Sequence, residues 1–269
     1  MKMAIQMHNK IMKENIFLRE IFHFCFLEHL LLISDPKIYI LKGGVNLRFF
    51  FNSPRYSEDM DIDVTAGSVS TLKKNGYKIL NDNGFKRKLQ TFGIENLIIN
   101  DPLKAKHTKT TQRFKLKIIT SSEESLPTKI EFSRRKKIHN SYTSKFDRIN
   151  TEISHRYKRL SFLCQHYTGE SAIIQKIEAL SGRSKTQSRD VFDIFILMLG
   201  GHTQELDLSK LDPKLILKSK EAVLSLSYKD FKGQVLEFLD EAEEAKYKNY
   251  SRHESWIEIQ KKVIGLLSV

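Results

Sequence analysis

"KGGVNLRFFFNSPRYSEDMDIDV", residues 42–64, joins a glycine pair to a short apolar stretch and closes on four acids within six positions: Glu58, Asp59, Asp61 and Asp63. The "KIYIL" just before it is rich in β-formers, and "MDIDV" alternates with the period of a strand. "VNLRFFF" between them fits a short helix. The predicted order is strand, glycine turn, helix, strand. Because successive strand side chains face opposite ways, Asp59, Asp61 and Asp63 share one face while Met60, Ile62 and Val64 take the other. Carboxylates crowded in this way repel, and a bound divalent cation, protonation or full solvation relieves them.

Upstream, Glu14 to Ser34 carries apolar residues at helical spacing and stops before Asp35-Pro36. Downstream, Gly67, Gly76, Gly84 and Gly93 punctuate short apolar pieces, as turns between strands or small helices do. "RFKLKIIT" and "PTKIEFSRRKK" read as two further strands, with Phe114, Leu116, Ile118, Ile130 and Phe132 alternating with polar residues. After about Cys164 the pattern turns helical, with Gly182 and Gly200-Gly201 as helix stops. The expected fold class is α/β (α+β): a mixed-sheet core over 1–165 and a helical C-terminal domain over 166–269.

With 45 Lys and Arg against 32 Asp and Glu, the net charge is +13. That excess favours a polyanionic partner, nucleic acid first, because each cation brought to a phosphate releases condensed counterions. Cys25 and Cys164 lie in apolar stretches without ligands at metal spacing and read as reduced core residues. No apolar run reaches the roughly 18 residues of a membrane span, and the first residues lack the apolar segment of a secretory leader. A soluble, cytoplasmic protein is expected, with no membrane partner.

Gly43-Gly44 stands at a strand-to-helix turn, where bare backbone N–H groups can approach phosphate oxygens. Magnesium takes few protein carboxylates and leaves its other positions to water and substrate phosphates, so two acids at i and i+2 suit a nucleotide site. A phosphate-binding turn followed by a carboxylate strand supplies both parts of such a site.

These residues resemble a family. "GGVNLR", "RYSEDMDIDV", "QKIEAL" and "SRDVFDIF" look like the motifs of the AbiEii-type nucleotidyltransferase toxins of type IV toxin–antitoxin systems, including the MenT-like enzymes, within the polymerase-β-like superfamily. The resemblance implies a polymerase-β-like nucleotidyltransferase core. It implies that Gly43, Gly44 and Arg48 hold the triphosphate, that Asp59 and Asp61 bind metal and activate the attacking hydroxyl, and that Lys176 contacts phosphate with Asp190 positioning either Lys176 or the nucleotide. A slip of two residues would give the metal pair as Asp61 and Asp63, and both registers stand open. Glu131 is the candidate third acid, from an adjacent strand. Asp193, on a helix apolar nearly all round, reads as a member of a buried ion pair. Many relatives read "GGTAL" where this chain has "GGVNL", so a hydroxyl beside the phosphates is missing.

Lys104, Lys106, Lys109, Arg113, Lys115 and Lys117 place six cations within fourteen residues, and Arg134, Arg135, Lys136 and Lys137 form a second run. Flanking the carboxylates, they could hold a structured RNA by its phosphates. The resulting expectation is a toxin that depends on Mg2+ or Mn2+ and transfers a nucleoside monophosphate from an NTP to the 3′ end of tRNA, with a cognate antitoxin as partner. Alternatives are the same site acting on a protein or small-molecule acceptor, and an inactive RNA- or antitoxin-binding protein.

Overall fold

A computed structural model of the chain describes residues 2–134, 142–248 and 253–268, with side chains from residue 13 onward, that of Lys248 excepted. It forms two compact units: residues 1–50 with 56–167, and residues 51–55 with 168–269.

The first unit runs α1 (Lys2–Ile33), β1 (Tyr39–Lys42), α2 (Gly43–Phe50), β2 (Met60–Val64), α3 (Val69–Asn81), α4 (Asn83–Gln90), β3 (Ile94–Ile99), β4 (Thr111–Thr120), β5 (Ser125–Ser133), β6 (Ser144–Arg148), α5 (Thr151–Arg156) and β7 (Leu163–Tyr167). The seven strands make one mixed sheet in the order β3-β4-β5-β2-β1-β7-β6. β2 is antiparallel to β1, with Asp61 opposite Lys42 and Asp63 opposite Ile40, and parallel to β5, with Asp61 opposite Glu131.

Alternation divides the sheet into two faces. Met60, Ile62, Phe114, Leu116, Ile118, Ile130 and Phe132 are buried in one apolar cluster with Phe22, Phe26 and Leu27 of α1, Leu72 and Ile79 of α3, and Phe85 of α4. Each such side chain contributes about 1.5–3 kcal/mol through its removal from water. Helix α3 comes close enough only because position 76 is glycine: a Cβ there would meet the Phe114 ring at 2.3 Å. The charged residues of β2, β4 and β5 are left on the other face. Cys25 and Cys164 are buried, and burial pushes their thiols up to about 11 and about 12, so neither is a nucleophile.

Two strands were not foreseen. β7 pairs parallel to β1, and β6 antiparallel to β7, extending the sheet on the side away from β5. Helix α1 is also longer than the expected 14–34, and β2 begins at Met60, so Asp59 precedes the strand instead of lying within it.

His23 on α1 pins the acidic segment to the sheet. Its Nε2 lies 2.9 Å from Thr128 Oγ1, and that hydroxyl donates to the Glu58 carbonyl at 2.7 Å. A hydroxyl has one proton, so the imidazole is the donor, neutral and protonated on Nε2. Burial holds its pKa at about 3, below the ordinary 6.5. Between those values the unfolded chain binds a proton that the folded one refuses, so this contribution is complete above 6.5 and is lost as pH falls toward 3. Stability should drop by about 2 kcal/mol between pH 6.5 and 5 on this account. Urea midpoints at the two pH values, compared with those of His23→Gln, check it; an equal drop in the variant refutes it.

The second unit is helical: α6 (Gly169–Gly182), α7 (Ser188–Leu199), α8 (Pro213–Ser225), α9 (Tyr228–Gln234), α10 (Glu241–Lys248) and α11 (Glu254–Leu266). The strap 51–55 belongs to it, with Arg55 bridged to Leu239. Among the described residues no helix is long and apolar enough to cross a membrane.

Candidate active site

β1 ends at Lys42 and the chain turns at once into α2 through Gly43, whose φ of +69° lies in the left-handed region that glycine tolerates. A Cβ at this position would come 3.4 Å from Asp61 Oδ2. The glycine turn and Asp61 are therefore in direct apposition, brought together by the Lys42–Asp61 register.

The acids differ in what they hold. Asp63 accepts from Lys42 Nζ at 2.5 Å and from the Tyr167 hydroxyl at 2.8 Å. Glu131 accepts from Nε of its cross-strand neighbour Arg113 at 2.6 Å. Asp59 pairs with Lys129 Nζ at 2.9 Å. Among the described residues Asp61 has no hydrogen bond and no ion pair. Burial pushes its pKa up, against the pull of Lys129 and Lys42 and with the push of Glu131 and Asp59. A desolvated carboxylate surrounded by other carboxylates is short of positive charge.

This oxygen-only donor set is the kind that magnesium or manganese accepts. Among the described residues no three His, Cys, Asp or Glu side chains are already gathered at metal-holding distance. Magnesium needs only one or two protein carboxylates, a number that Asp61 with one neighbouring acid could supply.

Arg48, on the last turn of α2, reaches back to α1. It is buried, its Nε donates to Glu20 Oε2 at 2.5 Å, and its guanidinium stands 4.1 Å over the Tyr56 ring. Glu20 also accepts from the Tyr157 hydroxyl. Arg48 thus ties α2 to α1, as a brace for the glycine turn.

Beside Asp59 lies a cleft of about 480 Å3 lined by Glu58, Arg113, Lys115, Lys117 and Lys129 among others. Arg113, Lys115 and Lys117 alternate along β4 with the buried Phe114, Leu116 and Ile118, which brings three cations of the first basic run to the acid-bearing face. Lys104, Lys106 and Lys109 precede the strand and are exposed. Of the second run Arg134 is described, while Arg135, Lys136 and Lys137 lie outside the described residues.

In the second unit, Lys176 of α6 is nearly buried between two acids of α7, with Nζ 2.9 Å from Asp190 Oδ1 and 2.5 Å from Asp193 Oδ2. Asp190 is also in an ion pair with Arg183, whose Nε lies 3.1 Å from Oδ2. Asp193 is gripped on both oxygens by Arg55, at 2.9 and 2.8 Å. Burial would raise the Asp193 pKa, but Arg55 and Lys176 outweigh it and hold it at about 2.

Lys129, Lys42 and Tyr167 were missed as neighbours of the acids. Lys129 was within reach of the strand period, two residues before Glu131 on the same face. Tyr167 lies 104 residues from Asp63 on an unforeseen strand, and nothing local points to it.

The family model described as nucleotidyl transferase AbiEii toxin, type IV TA system, matches residues 25–255. Among solved structures, MenT4, a nucleotidyltransferase toxin from Mycobacterium tuberculosis H37Rv, is similar over 100% of this chain and 89% of its own, with a TM-score of 0.62 at 14% identity, a likeness of fold. JHP933 from Helicobacter pylori is similar over 93% of this chain and 92% of its own, with a TM-score of 0.47 at 18% identity. No curated protein matches the chain.

Proposed function

The chain belongs to the AbiEii nucleotidyl transferase toxin family of type IV toxin–antitoxin systems, and from that premise we propose that this nucleotidyltransferase moves a nucleoside monophosphate from an NTP to the 3′ end of tRNA in the cytoplasm. Capping that end would block aminoacylation and so translation. Family membership implies an NTP substrate and an antitoxin partner; the RNA acceptor and the metal are our reading.

The observation that carries it is the carboxylate of Asp61, unpartnered among the described residues, set against the Gly43 turn on one side and, through Asp59, a cationic cleft on the other. Asp61 and Asp59 would hold Mg2+ or Mn2+, with Glu131 as a further acid on the neighbouring strand. A divalent cation there supplies positive charge to the triphosphate and to the attacking hydroxyl. Gly43 and Gly44 offer backbone N–H groups to the phosphates at the start of α2, and Arg48 keeps that helix in place from beneath. Asp63, already committed to Lys42 and Tyr167, favours the Asp59–Asp61 register. We extend the proposal to Lys176 as a triphosphate contact, with Asp190 orienting its ammonium.

The cations of β4 support RNA as acceptor over a small molecule. Incubation with total RNA, metal and each labelled NTP, beside an Asp59→Ala, Asp61→Ala double variant, tests the reaction: label should enter tRNA-sized RNA with the wild type alone. Lys115→Ala with Lys117→Ala should weaken RNA binding and lower its log–log salt slope by about 1.5, the share of two phosphate contacts. An unchanged slope moves the acceptor to protein or small molecule.

A further inference from the structure

Four acids stand on or beside the open face of the sheet, Asp61, Asp63 and Glu131 on its strands and Asp59 just before β2, with three bases paired among them: Lys42 with Asp63, Arg113 with Glu131, and Lys129 with Asp59. Counted as ions, four negative against three positive leaves one negative charge, and Asp61 is the acid without a base.

The three bases are not equivalent. Lys42 is the last residue of β1, and Asp63, its partner, also receives Tyr167. Arg113 is the direct cross-strand neighbour of Glu131, with a planar head suited to a fixed carboxylate contact. Lys129 sits on β5 two residues before Glu131, which lies opposite Asp61 in parallel register. It lines the cleft shared with Lys115 and Lys117, and its flexible side chain is about one-quarter exposed. Burial alone would lower its pKa, but Asp61, Asp59 and Glu131 together raise it, so its charge is shared among the three carboxylates assigned to the metal.

We propose that Lys129 is a resident cation of this site, which a divalent metal must displace from Asp59, and that the freed ammonium turns into the cleft beside Lys115 and Lys117. The inference rests on the metal reading given above. Charge balance gives the reason for exchange. A divalent ion added beside Lys129 would take the cluster from one negative to one positive, whereas the same ion replacing Lys129 leaves it neutral. Displacement also couples the two halves of the site: metal loading presents one more cation to a polyanion, and by linkage the polyanion favours the metal.

The test measures Mn2+ binding to the full chain without nucleotide, from the electron paramagnetic resonance of the free ion. Lys129→Met keeps the stem and removes the competitor, and should tighten the Kd about tenfold. Lys117→Met, a charge lost from the same cleft that has no carboxylate partner among the described residues, should move it less than about twofold. In the wild type, acylation of the Lys129 amine, read by peptide mass mapping, should accelerate when Mn2+ is added. Equal Kd shifts in Lys129→Met and Lys117→Met, or acylation indifferent to Mn2+, would overturn this inference and leave the metal reading intact. Asp61→Asn tests that reading separately: if it binds Mn2+ as the wild type does, or if neither binds, the metal reading and the inference fall together.

Discussion

Asp61→Asn should reduce nucleotidyl transfer on the order of a thousandfold while leaving the thermal midpoint of the protein unchanged or slightly raised. The two halves of that expectation come from the same geometry. Asp61 is a desolvated carboxylate without a hydrogen bond or ion pair among the described residues, and its neighbours on the open face include Asp59 and Glu131. Its negative charge therefore does little for the folded state, and an amide of the same shape keeps the strand and its register. A group that costs rather than stabilises, placed 3.4 Å from where a Cβ on Gly43 would lie, is maintained for what it binds.

The neighbouring acids separate the two registers. Asp59→Asn should lose activity on the scale of Asp61→Asn, whereas Asp63→Asn, which releases Lys42 and Tyr167, should chiefly lower the melting temperature. Initial rates and circular-dichroism melts on the three variants decide it. Asp63→Asn inactive with an unchanged melt, and Asp59→Asn active, would place the pair at Asp61 and Asp63.

Much of this site was legible because its parts are local. The glycine turn, β1 and β2 fall within 26 residues, from Tyr39 to Val64, and strand period alone puts Asp61 and Asp63 on the face opposite Met60 and Ile62. The same period assigned Phe114, Leu116 and Ile118 to the core and so Arg113, Lys115 and Lys117 to the open face. Reading stopped where a residue's partner is distant. Arg48 in its motif looks like a phosphate ligand, and nothing local shows that it also donates to Glu20 of α1. "LCQHY" has no clean alternation, and its parallel neighbour β1 is distant in sequence, so nothing local marks β7 as a strand. Nothing local marks 51–55 as a strap, because its anchor Asp193 lies 138 residues beyond Arg55.

That anchor gives the largest expected loss of stability. Asp193→Ala should destabilise the helical unit by about 3–5 kcal/mol, the cost of leaving a buried ion network without its counter-charge. Asp193 is fully buried, takes both arms of Arg55, and shares Lys176 with Asp190. Alanine leaves two cations in a dry interior with Asp190 as the remaining acid, itself already paired with Arg183. Against a typical domain stability of roughly 5–15 kcal/mol, such a loss removes a large share of the margin. The unit supplies its own reporter: the chain's single tryptophan, Trp256, is buried there, stacked 4.8 Å from Phe231 with its indole N–H on the Leu226 carbonyl. Urea unfolding followed by Trp256 fluorescence should show the midpoint fall sharply in Asp193→Ala. Lys176→Met should lower it less, since Arg55 still neutralises Asp193 and Arg183 still faces Asp190, and yet it should lose transfer activity if its ammonium contacts the triphosphate. A Lys176→Met protein with full activity would restrict Lys176 to the ion network, and an Asp193→Ala midpoint within about 1 kcal/mol of wild type would show that the network is not what holds the strap to the helices.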